Sequence, residues 1–327
     1  MFKSKKSKFY GLSSMLILLS MLLVLITSTA IGAVSAMLEI NKKSQFIATA
    51  NGHSYKCYTF EDDEDHNPVS GVAIALNEDA STTTNTAITV PGSVTHPDTG
   101  ATYTVRGLAP GAFRYTKFKQ FNLPTSIEQI GEEAFAYCTN LLDFDIPYQI
   151  TEIAPSTFLD CRKLSYVYYN DNEGHRVFGN STITKIGDHA FDTCLALKDF
   201  YCPSSVTYFG HSCFHRCQSL VNFYFPSTIK DGNTITNEVT IRSYAFANCE
   251  SLIFVYFEEN VKEIDDYAFV DCNSTLAMKY NGYSVPNFYN GDDEQAHWRD
   301  TNIATNIDTL IPLQIKHPTI HSDPVYP

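Results

Sequence analysis

The feature that most limits what this chain can fold into is internal repetition. Residues 127–147, IEQIGEEAFAYCTNLLDFDIP, set a grammar that returns along the middle of the protein. It runs apolar–x–x–apolar–Gly, then Ala-Phe-x-x-Cys, then x-x-Leu-x-x-apolar-x-apolar-Pro. Its phenylalanine recurs at Phe113, Phe135, Phe158, Phe191, Phe214, Phe246 and Phe269, with gaps of 22, 23, 33, 23, 32 and 23 residues. Other columns keep pace. Eight residues before each landmark stand Val105, Ile127, Ile150, Ile183, Val206, Glu238 (with Val239 beside it to slip in) and Val261. Five before stand Leu108, Ile130, Ile153, Ile186, Phe209, Ile241 and Ile264. Three after, from the second copy on, stand Cys138, Cys161, Cys194, Cys217, Cys249 and Cys272. A copy this short cannot bury its apolar face alone, so the copies must stack. The expected fold is a repeat solenoid, mainly β with short helical turns, carrying one parallel strand per ~23-residue coil.

Within a coil, the segment Leu-Val-Asn-Phe-Tyr-Phe-Pro at 220–226 shows what points where. Period-two alternation turns Leu220, Phe223 and Phe225 inward and leaves Asn222 and Tyr224 outward. The proline ends the strand because it has no amide to offer the next coil. Read coil by coil, the first outward column holds Gln120, Asp143, Tyr166, Asp199, Asn222 and Phe254. The second holds Asn122, Asp145, Tyr168, Tyr201, Tyr224 and Tyr256. Four successive tyrosines there form an aromatic ladder beside carboxylates, a surface suited to protein or sugar. The competing reading is that stacked tyrosines only brace neighbouring strands. Two insertions, 170–182 and 227–237, enter in the same phase of the repeat and are expected to leave from one edge. Such loops often shape a ligand face, although a turn also tolerates neutral growth.

The ends of the chain differ from its middle. Residues 1–36 read as a signal peptide: Lys3, Lys5, Lys6 and Lys8 precede an apolar core at 15–26, and Val34-Ser35-Ala36 forms a cleavage site. A retained anchor over residues 11–36 is the alternative, but the dense core falls short of the roughly 20 residues a span needs. Either way the body lies outside the cytoplasm. Residues 37–104 alternate as short strands between turn clusters and are expected to cap the first coil; 105–276 form about seven coils, and 277–327 a C-terminal cap and tail. The segment Ile88-Thr-Val-Pro already has the form of a coil strand. The acidic run at 61–65 lacks the alternation and glycine of a calcium loop and reads as a solvated turn.

The units IGEEAFAYC, IGDHAFDTC and FDIP resemble the leucine-rich repeats of the BspA-like (treponema-type) surface protein family, over about residues 88–276. The resemblance implies a curved solenoid, secretion or surface display, and adhesion to host proteins, cells or matrix. No LPxTG-type motif or hydrophobic tail accompanies it here, in departure from wall-anchored relatives.

Nine cysteines in a secreted chain invite a disulfide framework. Six share one inward column, so buried free thiols are the expectation. Cys202 takes a core strand position, Cys213 replaces the alanine before Phe214, and Cys57 lies in the cap. The cluster His211-Ser-Cys213-Phe-His215-Arg-Cys217 imitates a zinc site, yet the register turns both thiols inward and both imidazoles outward, so no metal or other cofactor is expected. The net charge of −13 disfavours nucleic acid. Asn180 and Asn273 begin glycosylation sequons. The expected function is non-enzymatic adhesion or binding of an extracellular protein or glycan, with membrane contact only through an uncleaved leader. The alternatives are a structural spacer or matrix component without a dedicated ligand and, last, a metal-dependent enzyme.

Overall fold

The computed structural model describes residues 40–60, 70–83, 86–170, 176–177, 182–227, 229–231, 234–258, 260–265, 267–273, 276–281, 287–288 and 311–312. The leader, the acidic run and Asn180 lie outside them. No helix among the described residues is long and apolar enough to cross a membrane.

Three backbone ladders run along the stack. The lateral ladder is made of short parallel strands, in the order Glu152–Ile153, Lys185–Ile186, Tyr208–Phe209, Val239–Ile241, Val261–Ile264 and Asn287–Phe288. Val239 is fully buried and fills the column where Glu238 broke the pattern. Nearer the N-terminus, Gln129–Ile130 pairs in parallel with Thr102–Leu108, and that strand with Val72–Leu76. Val72–Leu76 also closes an antiparallel meander with His53–Phe60 and Ile40–Ala50. The N-terminal segment thus covers the first coil by extending its ladder, which hides both the apolar cross-section and an open strand edge.

The front ladder is built from the Leu-x-x-apolar-x-apolar segments. Ala87–Thr89 pairs with Gln120–Asn122, Asp143–Ile146 with Tyr166–Asn170, and Asn222–Tyr224 with Phe254–Glu258 and then Ala277–Asn281, all in parallel. One strand per coil fails at Asp199 and Tyr201, where none forms. The reason is the first insertion. Its Arg176–Val177 folds back antiparallel onto Tyr166–Asn170, on the side away from Asp143–Ile146. It takes the far end of the edge on which the next coil would pair, at Tyr169 and Asn170. Coil-to-coil bonds there stretch to 3.4 Å, from the Lys198 N–H to the Ser165 carbonyl and from the Val221 N–H to the Lys198 carbonyl. The second insertion instead pairs with itself, Lys230–Asp231 against Thr234–Ile235.

The third ladder runs through the Ala-Phe turns, which are not helical; Ala80–Thr82 is the only helix among the described residues. In 133–138, the N–H groups of Ala134, Ala136 and Cys138 close on carbonyls three residues back. Those of Glu133, Phe135 and Tyr137 donate across to Pro155, Thr157 and Leu159 of the next coil. This alternation requires left-handed backbone two residues before and two after the landmark. Glu133 (φ 56°) and Tyr137 (φ 61°) show it, and His189, Thr193, Ser212 and Arg216 repeat it. A non-glycine residue pays about 1–2 kcal/mol for such a conformation; the cross-coil bonds offset it by satisfying amides that would otherwise be buried unpaired.

The landmark rings form one continuous spine. Successive pairs from Phe113 to Phe269 stack at 5.1–5.8 Å with interplanar angles of 4–11°. Front-strand rings interleave edge-on, as Phe144 does against Phe135 and Phe158 at 4.7 and 4.8 Å. Both arrangements suit the ring quadrupole. The cysteine column has a polar purpose beside its packing. Each thiol donates to the carbonyl of the landmark phenylalanine one coil back: Cys138 to Phe113, Cys161 to Phe135, Cys194 to Phe158, Cys217 to Phe191, Cys249 to Phe214 and Cys272 to Phe246, at 3.1–3.3 Å. In the first coil Thr116 takes the position and bonds its own Phe113 carbonyl at 2.8 Å.

All nine cysteines are free, eight of them buried. Burial drives the thiols of Cys138, Cys161, Cys194, Cys217 and Cys249 up, Cys138 to about 12, so the nucleophilic thiolate is suppressed there. A water-soluble disulfide reagent should therefore react with none of the eight in the native chain. Unfolding without reductant should release nine; a lower count would show that bridges form.

Candidate functional site

The front strands place the outward columns as alternation requires. Tyr166, Tyr201 and Tyr224, from three consecutive coils, are 39, 51 and 58% exposed. Asp199 and Gln120 are also exposed, whereas Asp143, Asp145, Tyr168, Asn222, Phe254 and Tyr256 are half-buried. The four-tyrosine ladder is thus uneven, with Tyr201 and Tyr224 its most open rungs. The rings gather in groups: Tyr166 stacks on Tyr168 at 6.1 Å, and Tyr224 meets Phe254 at 5.8 Å and Tyr256 at 6.4 Å. The break in the front ladder, at the coil of Asp199 and Tyr201, falls between these groups. At the N-terminal end the Gln120 amide donates to both carboxylate oxygens of Asp143, each at 3.3 Å.

The landmark phenylalanines and the six column cysteines are buried to 6% exposure or less, so they contribute to the stack and not to the surface. Asn273 is half-buried and its amide donates to the Glu250 carbonyl at 3.0 Å.

The histidine–cysteine cluster is pulled apart by the register. Cys213 and Cys217 point into the core, where their sulfurs approach the Ala245 and Phe191 carbonyls. The imidazoles lie on the turn side, and there His215 joins a residue that the sequence does not single out. Asp192, only 9% exposed, has its two oxygens 2.9 Å from His189 Nδ1 and 3.0 Å from His215 Nδ1. Thr193 adds a hydroxyl at 2.8 Å, and Asn248 lies 3.3 Å from His215 Nε2. An ionised carboxylate only accepts, so each imidazole presents its Nδ1–H to it. Among the described residues no group of three or more His, Cys, Asp or Glu is arranged to hold a metal ion.

Burial pushes the Asp192 carboxyl up, but the His189, His215 and Thr193 donors outweigh it and bring it down to about 2. A carboxyl depressed in the folded state stabilises above its unfolded value of 3.8, and that stability is lost as pH falls toward 2. Asp192→Asn should remove this dependence. Between about pH 5 and pH 2 the parent chain should lose about 2 kcal/mol more than the variant in denaturant melts. Parallel curves would rule the clasp out.

A second missed feature is a polar column nine residues before each landmark from Phe135 on. Ser126, Gln149, Thr182, Ser205, Asn237 and Asn260 each donate to a backbone carbonyl of the preceding coil, at 2.6–3.3 Å. The signal was present as a run of small polar and amide residues at one phase.

The BspA type leucine rich repeat region matches in six copies, over residues 106–233 and 173–275, together more than half of the chain. No curated protein sequence matches. Among solved structures, similarity extends to a leucine-rich repeat protein of T. pallidum, 21% identical, covering 76% of this chain and 85% of that one at a TM-score of 0.41. One from Bacteroides ovatus is 19% identical, covering 75% and 70%, at 0.39. The pneumococcal vaccine antigen PcpA is 14% identical, covering 73% and 71%, at 0.40. With the stacked rings, the thiol column and the repeat match in agreement, the chain belongs to the BspA-type leucine-rich repeat family.

Proposed function

We propose that this chain is a non-enzymatic secreted or cell-surface protein that binds an extracellular protein or glycan through its front face. The observation that carries the reading is the exposure of Tyr166, Tyr201 and Tyr224 on three consecutive coils. A tyrosine offers a rigid apolar plate with a polar tip, and ordering it on binding costs little entropy. Family membership and the leader-like N-terminus support a location outside the cytoplasm.

The spacer reading draws on the contacts of Tyr224 with Phe254 and Tyr256, because such cross-strand pairs alone stabilise a sheet by roughly 0.2–1 kcal/mol. The double variant Tyr201→Ala, Tyr224→Ala separates the two. Binding to immobilised extracellular-matrix proteins and glycans should weaken about a hundredfold, as expected for two hot-spot rings, with the melting temperature unchanged. Equal loss of binding and stability would make the rings structural. A parent chain that binds nothing would favour the spacer.

A further inference from the structure

We infer that the front face takes an uncharged, linear carbohydrate chain lying along the stack, an inference that rests on the binding reading above and names its ligand class. Across six coils the two outward columns hold only carboxylate, amide and aromatic side chains; neither contains a lysine, an arginine or an aliphatic residue. That composition discriminates. Without cations in these columns, and with Asp143, Asp145 and Asp199 among them, sulfated or uronic-acid chains meet repulsion. Protein hot spots favour arginine along with tyrosine and tryptophan, and arginine is missing here. Flat rings match the C–H faces of a pyranose, while carboxylates and amides accept from and donate to its hydroxyls.

Geometry agrees with chemistry. Paired strands lie about 5 Å apart, close to the advance of one sugar residue in an extended pyranose chain, and the unpaired coil of Asp199 and Tyr201 is tied to both neighbours through the Lys198 backbone, so each coil meets one residue of the polymer. Tyr166, Tyr201 and Tyr224 then provide three plates on consecutive coils. Gln120, bonded to both oxygens of Asp143, holds one acceptor in place before the ligand arrives.

The test is calorimetry on the full chain with linear β-1,4-linked hexasaccharides of glucose, mannose and N-acetylglucosamine. A heparan sulfate hexasaccharide and immobilised matrix proteins serve as comparisons. At least one neutral hexasaccharide should bind, about tenfold or more tighter than its disaccharide because more rings are covered. The sulfated chain should not bind. Tyr201→Ala with Tyr224→Ala should erase the gain from length at unchanged melting temperature. Binding of matrix protein that the tyrosine pair controls, with no neutral sugar bound, overturns the carbohydrate inference and leaves the binding reading standing. Equal binding of sulfated and neutral chains overturns it too. A chain that binds neither sugar nor protein sinks both.

Discussion

Phe191→Ala should cost about 3–5 kcal/mol of stability, the usual loss when a large buried ring is removed from a core that cannot collapse. Phe191 is fully buried at the middle of the spine. It stacks on Phe158 at 5.2 Å and Phe214 at 5.1 Å, and Phe200 meets its edge at 5.2 Å. Its neighbours are held by backbone ladders and cannot close the gap. The site also coincides with the coil where the front ladder is interrupted, so the spine carries more of the coupling there. Because solenoid stability is approximately a sum of coil and interface terms, guanidinium unfolding should show a lower midpoint and a second, separate transition. An unchanged midpoint would mean that the rings do not hold the coils together.

Gly187→Ala should destabilise by about 1–3 kcal/mol, although it adds only one methyl group, because overpacking strains a rigid environment. A Cβ at Gly187 would stand 2.6 Å from the Pro155 nitrogen and 2.9 Å from both the Ala154 carbonyl carbon and the Ile153 oxygen. All three are backbone atoms, so no side chain can rotate away; the coils themselves must part. Gly131 meets the Pro110 backbone in the same manner, and Gly210 meets the Asp188 backbone together with its carboxylate. Ala109, Ala154, Arg242 and Asp265 occupy this column in the other four coils, so the close approach belongs to the three glycine coils. Gly100→Ala is the contrast: nothing lies within 4 Å of its Cβ, and its cost should come from its φ of +71° alone. Thermal melts of the two variants compare crowding with backbone strain.

The candidate site was half legible. Which side chains point outward could be read from alternation at Leu220 to Phe225, and Tyr224 is exposed as that pattern requires. How far each ring is open could not be read, because Tyr168 and Tyr256 are half-buried beside other rings, Tyr166 on the same strand and Tyr224 on the preceding coil. The inward turn of Cys213 and Cys217 was legible from register alone. The Asp192 clasp was not, since His189 and His215 reach it from consecutive coils and are 26 residues apart in the chain.

The amino-acid sequence by itself determined the stack: apolar columns repeating at one phase can be buried together only if every copy lies on the next, with Phe113 to Phe269 as the spine. The tertiary structure alone decided three things. It placed Arg176–Val177 on the edge that splits the front ladder, put residues such as His189 and Arg216 in left-handed backbone, and turned the cysteine column into a set of donors to carbonyls one coil back. Each of these depends on where the neighbouring coil's backbone lies, and that position is a property of the packed stack that no single copy of the repeat contains.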